Sequence, residues 1–146
     1  MKNSFIAFYL ILISTIFVGC DYSMDYDNEN NDGSIQLSIG SITEDYIEIL
    51  YNSNAEIAGF QFTMTGITLL ESASGGAAEE NNFTVTIGSE HGIVLGFSLE
   101  GFTIPEGSGV LTRLAYSEIF SDICMTSIIL SNSEGLQLEA NDLFCN

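Results

Sequence analysis

From Ser34 onward, apolar and polar residues alternate in a series of short runs. Period two sends successive side chains to opposite faces of an extended chain, so each run reads as a strand with one face to bury. Ile35, Leu37 and Ile39 make the first run, Ile47, Ile49 and Tyr51 the second, and Phe60, Phe62 and Met64 the third. A short run from Ile67 to Leu70 comes after them. Next are Phe83, Val85 and Ile87, then Ile93, Leu95, Phe97 and Leu99, then Thr112, Leu114 and Tyr116. Met125 to Leu130 and Leu136 to Ala140 complete the series. Turn residues separate the runs: Asn52-Ser53-Asn54, Thr65-Gly66, the segment from Gly88 to Gly92, Pro105 to Gly109, and Ser131 to Gly135. No stretch sustains helical spacing, although Ser74 to Asn82 has room for one helical turn. The pattern predicts an all-β, antiparallel sandwich of about eight to nine strands. Gly59-Phe60-Gln61-Phe62 and Gly96-Phe97-Ser98-Leu99 look alike, but the glycines after them are spaced differently. They read as one strand grammar used twice rather than as a repeat.

The chain before Ser34 has another character. One lysine precedes an uncharged, mostly apolar run from Phe5 to Val18, followed by Gly19-Cys20-Asp21. That run is shorter than the roughly 20 residues of a membrane span. Residues 1–19 read as a secretory signal peptide ending at a bacterial lipoprotein processing site, with Cys20 the lipidated residue. Residues 20–33 read as a flexible acidic tether and residues 34–146 as the β-sandwich domain. The expectation is an exported lipoprotein anchored in a membrane, at the cell surface or in the periplasm.

The formal net charge is −18, and all 20 acidic residues follow Cys20. Removal of the signal peptide takes Lys2 with it and leaves Arg113 as the only Lys or Arg. Nucleic-acid binding needs clustered cations to displace phosphate counterions, so it is excluded. An anionic membrane surface repels such a domain, which leaves the lipid as the only membrane contact. Of the three cysteines, Cys124 and Cys145 remain as an even pair in an exported chain. They are expected to form a disulfide tying the C-terminal strand to an earlier one. The rival readings are free thiols or half a metal site, and neither has a Cys-x-x-Cys to support it.

Catalytic groupings are sparse. His91 is the only imidazole and lies in a turn segment, where a solvated side chain is the ordinary outcome. Twenty carboxylates allow a glycosidase-like pair, but none sits in a context that suggests a cleft. The chain is therefore not expected to be an enzyme. Asn28, Asn30 and Asp32, with Gly33, match the opening spacing of a calcium loop, yet Ile39 stands where a bidentate Glu is required. Calcium is the one cofactor with any motif, and an Asn/Asp-rich tether gives the same spacing by chance. The absence of Trp weakens a sugar-stacking surface. Tyr22, Tyr26, Tyr46, Tyr51 and Phe102 are the aromatic candidates, and Tyr46, out of phase with Ile47, is the candidate ligand contact.

The segment Ile47-Glu48-Ile49-Leu50-Tyr51-Asn52-Ser53, followed by Ile57-Ala58-Gly59-Phe60-Gln61-Phe62, resembles the opening of a cohesin-type domain. Gly109-Val110-Leu111-Thr112-Arg113-Leu114-Ala115-Tyr116 resembles a later cohesin strand. The resemblance runs from about Ser34 to Ala140 and implies a nine-stranded jelly-roll sandwich, an architecture that cohesins share with several carbohydrate-binding modules. Cohesins bind dockerins through one sheet face, and no contact residue has a motif to carry over here. The resemblance implies a non-catalytic exported module that binds or scaffolds another exported protein. The alternatives are a module for extracellular polysaccharide and a structural subunit that associates with itself edge to edge.

Overall fold

A computed structural model describes residues 34–146. The signal segment, Cys20, the tether with Tyr22 and Tyr26, and the Asn28, Asn30 and Asp32 motif lie outside the described residues. β1 (Gln36–Ile42) and β2 (Tyr46–Ser53) lead into a long β3 (Gly59–Ser74). A helical turn, α1 (Gly76–Glu80), precedes β4 (Thr84–Gly88) and β5 (Ile93–Phe97). β6 (Gly107–Ser131) is longer still, and β7 (Gln137–Leu138) and β8 (Leu143–Cys145) close the chain. The order across the sheet is β1-β2-β6-β3-β5-β4, with β7 and β8 also paired to β6 and every pairing of named strands antiparallel.

Two strands serve both layers of the sandwich. The first half of β6 lies between β2 and the end of β3, with Glu48 opposite Arg113 and Ala73 opposite Leu114. Its second half lies between the start of β3, where Phe60 faces Leu130, and the short β7 and β8. One layer is thus β1, β2, early β6 and late β3. The other is β4, β5, early β3, late β6, β7 and β8. The buried side chains of both layers, from Leu37, Ile47 and Leu111 to Phe62, Val94 and Met125, form one hydrophobic cluster.

Bulges set the phase of the long strands. The expected turn at Thr65-Gly66 is instead a register shift inside β3, and Ile67 to Leu70 continues the same strand. Gly66 takes φ 80°, and a Cβ there would lie 2.1 Å from the Asp122 carbonyl oxygen, so the site admits only glycine without rearrangement. The runs 112–116 and 125–130, read as separate strands, both belong to β6. Met125 and Leu130 are both fully buried although an odd number of positions separates them. Strict alternation forbids this. Ser127, at φ 52°, is the extra residue that shifts the register against β3 and returns Ile128 and Leu130 to the core.

β5 inverts the expected orientation. The run Ile93, Leu95, Phe97 reads as the buried set, but Val94 is fully buried and Ile93 and Leu95 are exposed. The reason is across the strand. Phe60 pairs with Gly96, and its ring fills the space where a Gly96 side chain would stand. The two similar stretches of sequence are neighbours here, with Gly59 opposite Phe97 and Phe60 opposite Gly96. Phe60 also stacks on Phe62 and Phe83, with centroids 6.1 and 6.0 Å apart.

The β1 edge is covered by the segment before β8. Ile35 donates to the Glu139 carbonyl, and Asn141 donates to Ile35. The Asn141 side chain then accepts from the Leu37 amide and donates to the Leu37 carbonyl, as a backbone unit would. Only Gln137 and Leu138 of the expected 136–140 strand pair with β6, because Ala140 turns away to bridge Ile35.

Candidate binding face

Because Phe60, Phe62, Met64, Val94, Met125 and Leu130 point inward, their neighbours form the outer surface of the second layer. Register places these outward residues in lateral rows. Gly88, Ile93, Thr63, Thr126 and Leu143 lie in one row, and Thr86, Leu95, Gln61 and Ile129 in the next. A third holds Thr84, Phe97, Gly59, Ser131 and Gln137, and Thr65, Cys124 and Cys145 lie at the far side. None of these residues is charged, in a chain of net charge −18. Ile93 and Leu95 are each 39% exposed, Ile129 45% and Leu143 58%. An uncharged surface with apolar side chains set among threonines, in an otherwise acidic protein, has the composition of an interface core.

Carboxylates occupy the ends of these strands rather than the face. Glu90 lies in the β4–β5 turn, Glu100 follows β5, and Glu134 sits in the β6–β7 turn. At one end Thr103 and Ser133 both donate hydroxyl hydrogen bonds to the Glu56 carboxylate, at 3.2 and 2.5 Å, which ties two loops to the start of β3. The face is thus neutral and its rim negative.

The outer surface of the first layer differs. Glu48 and Arg113 are opposed across β2 and β6 and form an ion pair at 3.0 Å. The Arg113 guanidinium carbon lies 5.6 Å from the Tyr46 ring centroid. Tyr46 does point outward, as its phase indicated, but it is half-buried beside this cation and belongs to the layer opposite the neutral face. Tyr51 is half-buried against the core, and Phe102 is exposed in the loop after β5.

His91 is exposed in the β4–β5 turn. It lines a cleft of about 470 Å³ with Glu90, Gly66 and Phe120, where that turn meets the β3 bulge. The nearby Ser89 hydroxyl donates to Glu71 at 3.3 Å and not to the imidazole. Among the described residues, no three His, Cys, Asp or Glu side chains come together as a metal site. Cys124 and Cys145 are direct partners across β6 and β8 and form a disulfide.

Sequence reasoning did not locate the face. Each row draws residues from three to five strands, and the inversion of β5, which brings Ile93 and Leu95 outward, is dictated by Phe60. The available signal was Gly96 itself, a residue with no side chain in the middle of a strand.

No family model matches the chain, and no curated protein matches it. Solved structures do. A chain of the CaDoc0917–CaCohA2 complex is similar at 12% identity and TM-score 0.54, covering 77% of this chain and 97% of its own length. A non-cellulosomal cohesin from the hyperthermophilic archaeon Archaeoglobus fulgidus is similar at 12% identity and TM-score 0.53, covering 77% of this chain and 90% of its own. Residues 34–146 therefore have a cohesin-like fold.

Proposed function

We propose that this chain is a non-catalytic binding or scaffolding lipoprotein, exported and held at a membrane through Cys20. Its cohesin-like domain holds another exported protein on the outer face of β4, β5, β3 and late β6. The observation that carries this reading is the exposure of Ile93, Leu95 and Ile129, in two adjacent rows of a surface without charge, in a protein of net charge −18. The fold adds support, since one similar chain was solved within a complex. A sugar platform is the weaker reading, because Phe97 is the only aromatic residue in the rows and it is half-buried.

The test is capture on the immobilised mature chain, with the host's exported proteins and a panel of insoluble polysaccharides offered in parallel. A protein retained by the wild type and lost with Leu95→Glu supports the reading. Polysaccharide retained in its place, or a protein retained equally by Leu95→Glu, overturns it. Intact mass of membrane-extracted protein tests the anchor: a chain starting at a lipid-modified Cys20 is expected, and an unprocessed Met1 start refutes it.

A further inference from the structure

We propose that the Cys124–Cys145 disulfide is a reducible latch that holds β8, and with it the outer margin of the neutral face. β8 is three residues long and, among the described residues, pairs only with β6, at Cys124, Met125 and Thr126. Beyond the disulfide, Phe144 packs half-buried on the core and the Asn146 amide donates to the Ile123 carbonyl. These few contacts oppose the conformational freedom of residues 142–146, which a cross-link removes. The segment just before is anchored independently, since Asn141 is bonded through backbone and side chain to Ile35 and Leu37. Opening therefore stops at Asn141 and leaves the sandwich intact. It takes exposed Leu143 out of its row and uncovers the β6 edge from Cys124 to Thr126.

The chemistry is thiol–disulfide exchange with a dithiol. Cys145 is exposed and Cys124 only half-buried, so the reductant's thiolate attacks the Cys145 Sγ. A mixed disulfide forms and Cys124 leaves as a thiolate, which takes a proton. The reductant's second thiol then displaces Cys145 and closes its own disulfide. The protein gains two electrons and two protons, and the dithiol loses them. Exposed disulfides are the labile and regulatory class. The consequence for partner binding rests on the neutral face being the binding surface; the latch does not.

The experiment treats the mature chain with dithiothreitol at neutral pH without denaturant, followed by alkylation, intact mass and hydrogen exchange. Both cysteines are expected to alkylate, and exchange of residues 123–126 and 142–146 to rise by about tenfold or more, with residues 47–62 and 93–97 unchanged. The double variant Cys124→Ser, Cys145→Ser is expected to show the same exchange without reductant. Cysteines that alkylate only in denaturant, or a β8 that keeps its protection once reduced, overturn the latch. Where a protein is retained by the wild type and lost with Leu95→Glu, reduction is expected to weaken its retention. Unchanged retention on reduction overturns the regulatory inference and leaves the face standing. Retention insensitive to Leu95→Glu removes the face and leaves the latch standing.

Discussion

Gly96 lies directly beneath the ring of Phe60, its cross-strand partner, and a Cβ on Gly96 would fall 2.1 Å from the ring carbon Cζ. The aromatic ring covers the bare backbone of the glycine, and the glycine gives the ring its depth in the core. Gly96→Ala is expected to destabilise by about 1–3 kcal/mol through overpacking. Phe60→Leu costs stability alone but is expected to make Gly96→Ala tolerable, so a double-mutant cycle by thermal melting should show strong coupling. Additive effects would mean the two residues do not share this space.

Ser127 holds φ 52° at the bulge that returns Ile128 and Leu130 to the core. A β-branched residue there meets the left-handed penalty of roughly 1–2 kcal/mol, so Ser127→Val is expected to lower the urea midpoint. Ser127→Gly removes the side-chain penalty and is expected to be close to neutral. Deletion of Ser127 removes the extra residue and leaves Met125, Ile128 and Leu130 in strict alternation, with the Thr63–Thr126 and Gln61–Ile129 pairs in register, so the folded circular-dichroism spectrum is expected to persist.

Burial, with the Glu80 carboxylate adding to it, holds the Tyr51 phenol above its usual pKa. The folded state then keeps its proton more tightly than the unfolded chain. That contribution to stability is complete below the unfolded value of about 10 and is lost as pH rises through the higher folded value. Melts compared at about pH 9 and pH 11 should show a smaller loss for Tyr51→Phe than for the wild type. Equal losses would assign the alkaline sensitivity to other groups.

Leu95→Glu is expected to leave the fold nearly unperturbed, within about 0.5 kcal/mol, because the side chain points to solvent. Its effect should appear only in partner retention. A large drop in melting temperature would show instead that Leu95 supports the sheet.

The strands were legible because period two survives in nearly every run, and Phe60, Phe62 and Met64 kept their expected orientation. The joins were not. Thr65-Gly66 carries the residues of a turn, but Gly66 is equally suited to a bulge, and only the β6 backbone at Asp122 decides between them. Ile93 and Leu95 are larger than Val94 and Gly96, so local hydrophobicity chose the wrong side of β5. The Phe60 ring, which occupies the space above Gly96, reverses that preference from another strand. The candidate face depends on which strands become neighbours, information that no single run contains. Tyr46 was readable as outward-facing, but its pairing with Arg113 was not, since it is set by the β2–β6 register.

The neutrality of the outer sheet face has a thermodynamic consequence. A protein seated there would displace water from isoleucine, leucine and threonine surface and would leave the counter-cations around the rim carboxylates largely where they are. Its association should carry a negative heat-capacity change and an affinity that barely moves with added salt. A protein of net charge −18 would then make its principal contact through a region that the ionic atmosphere does not govern.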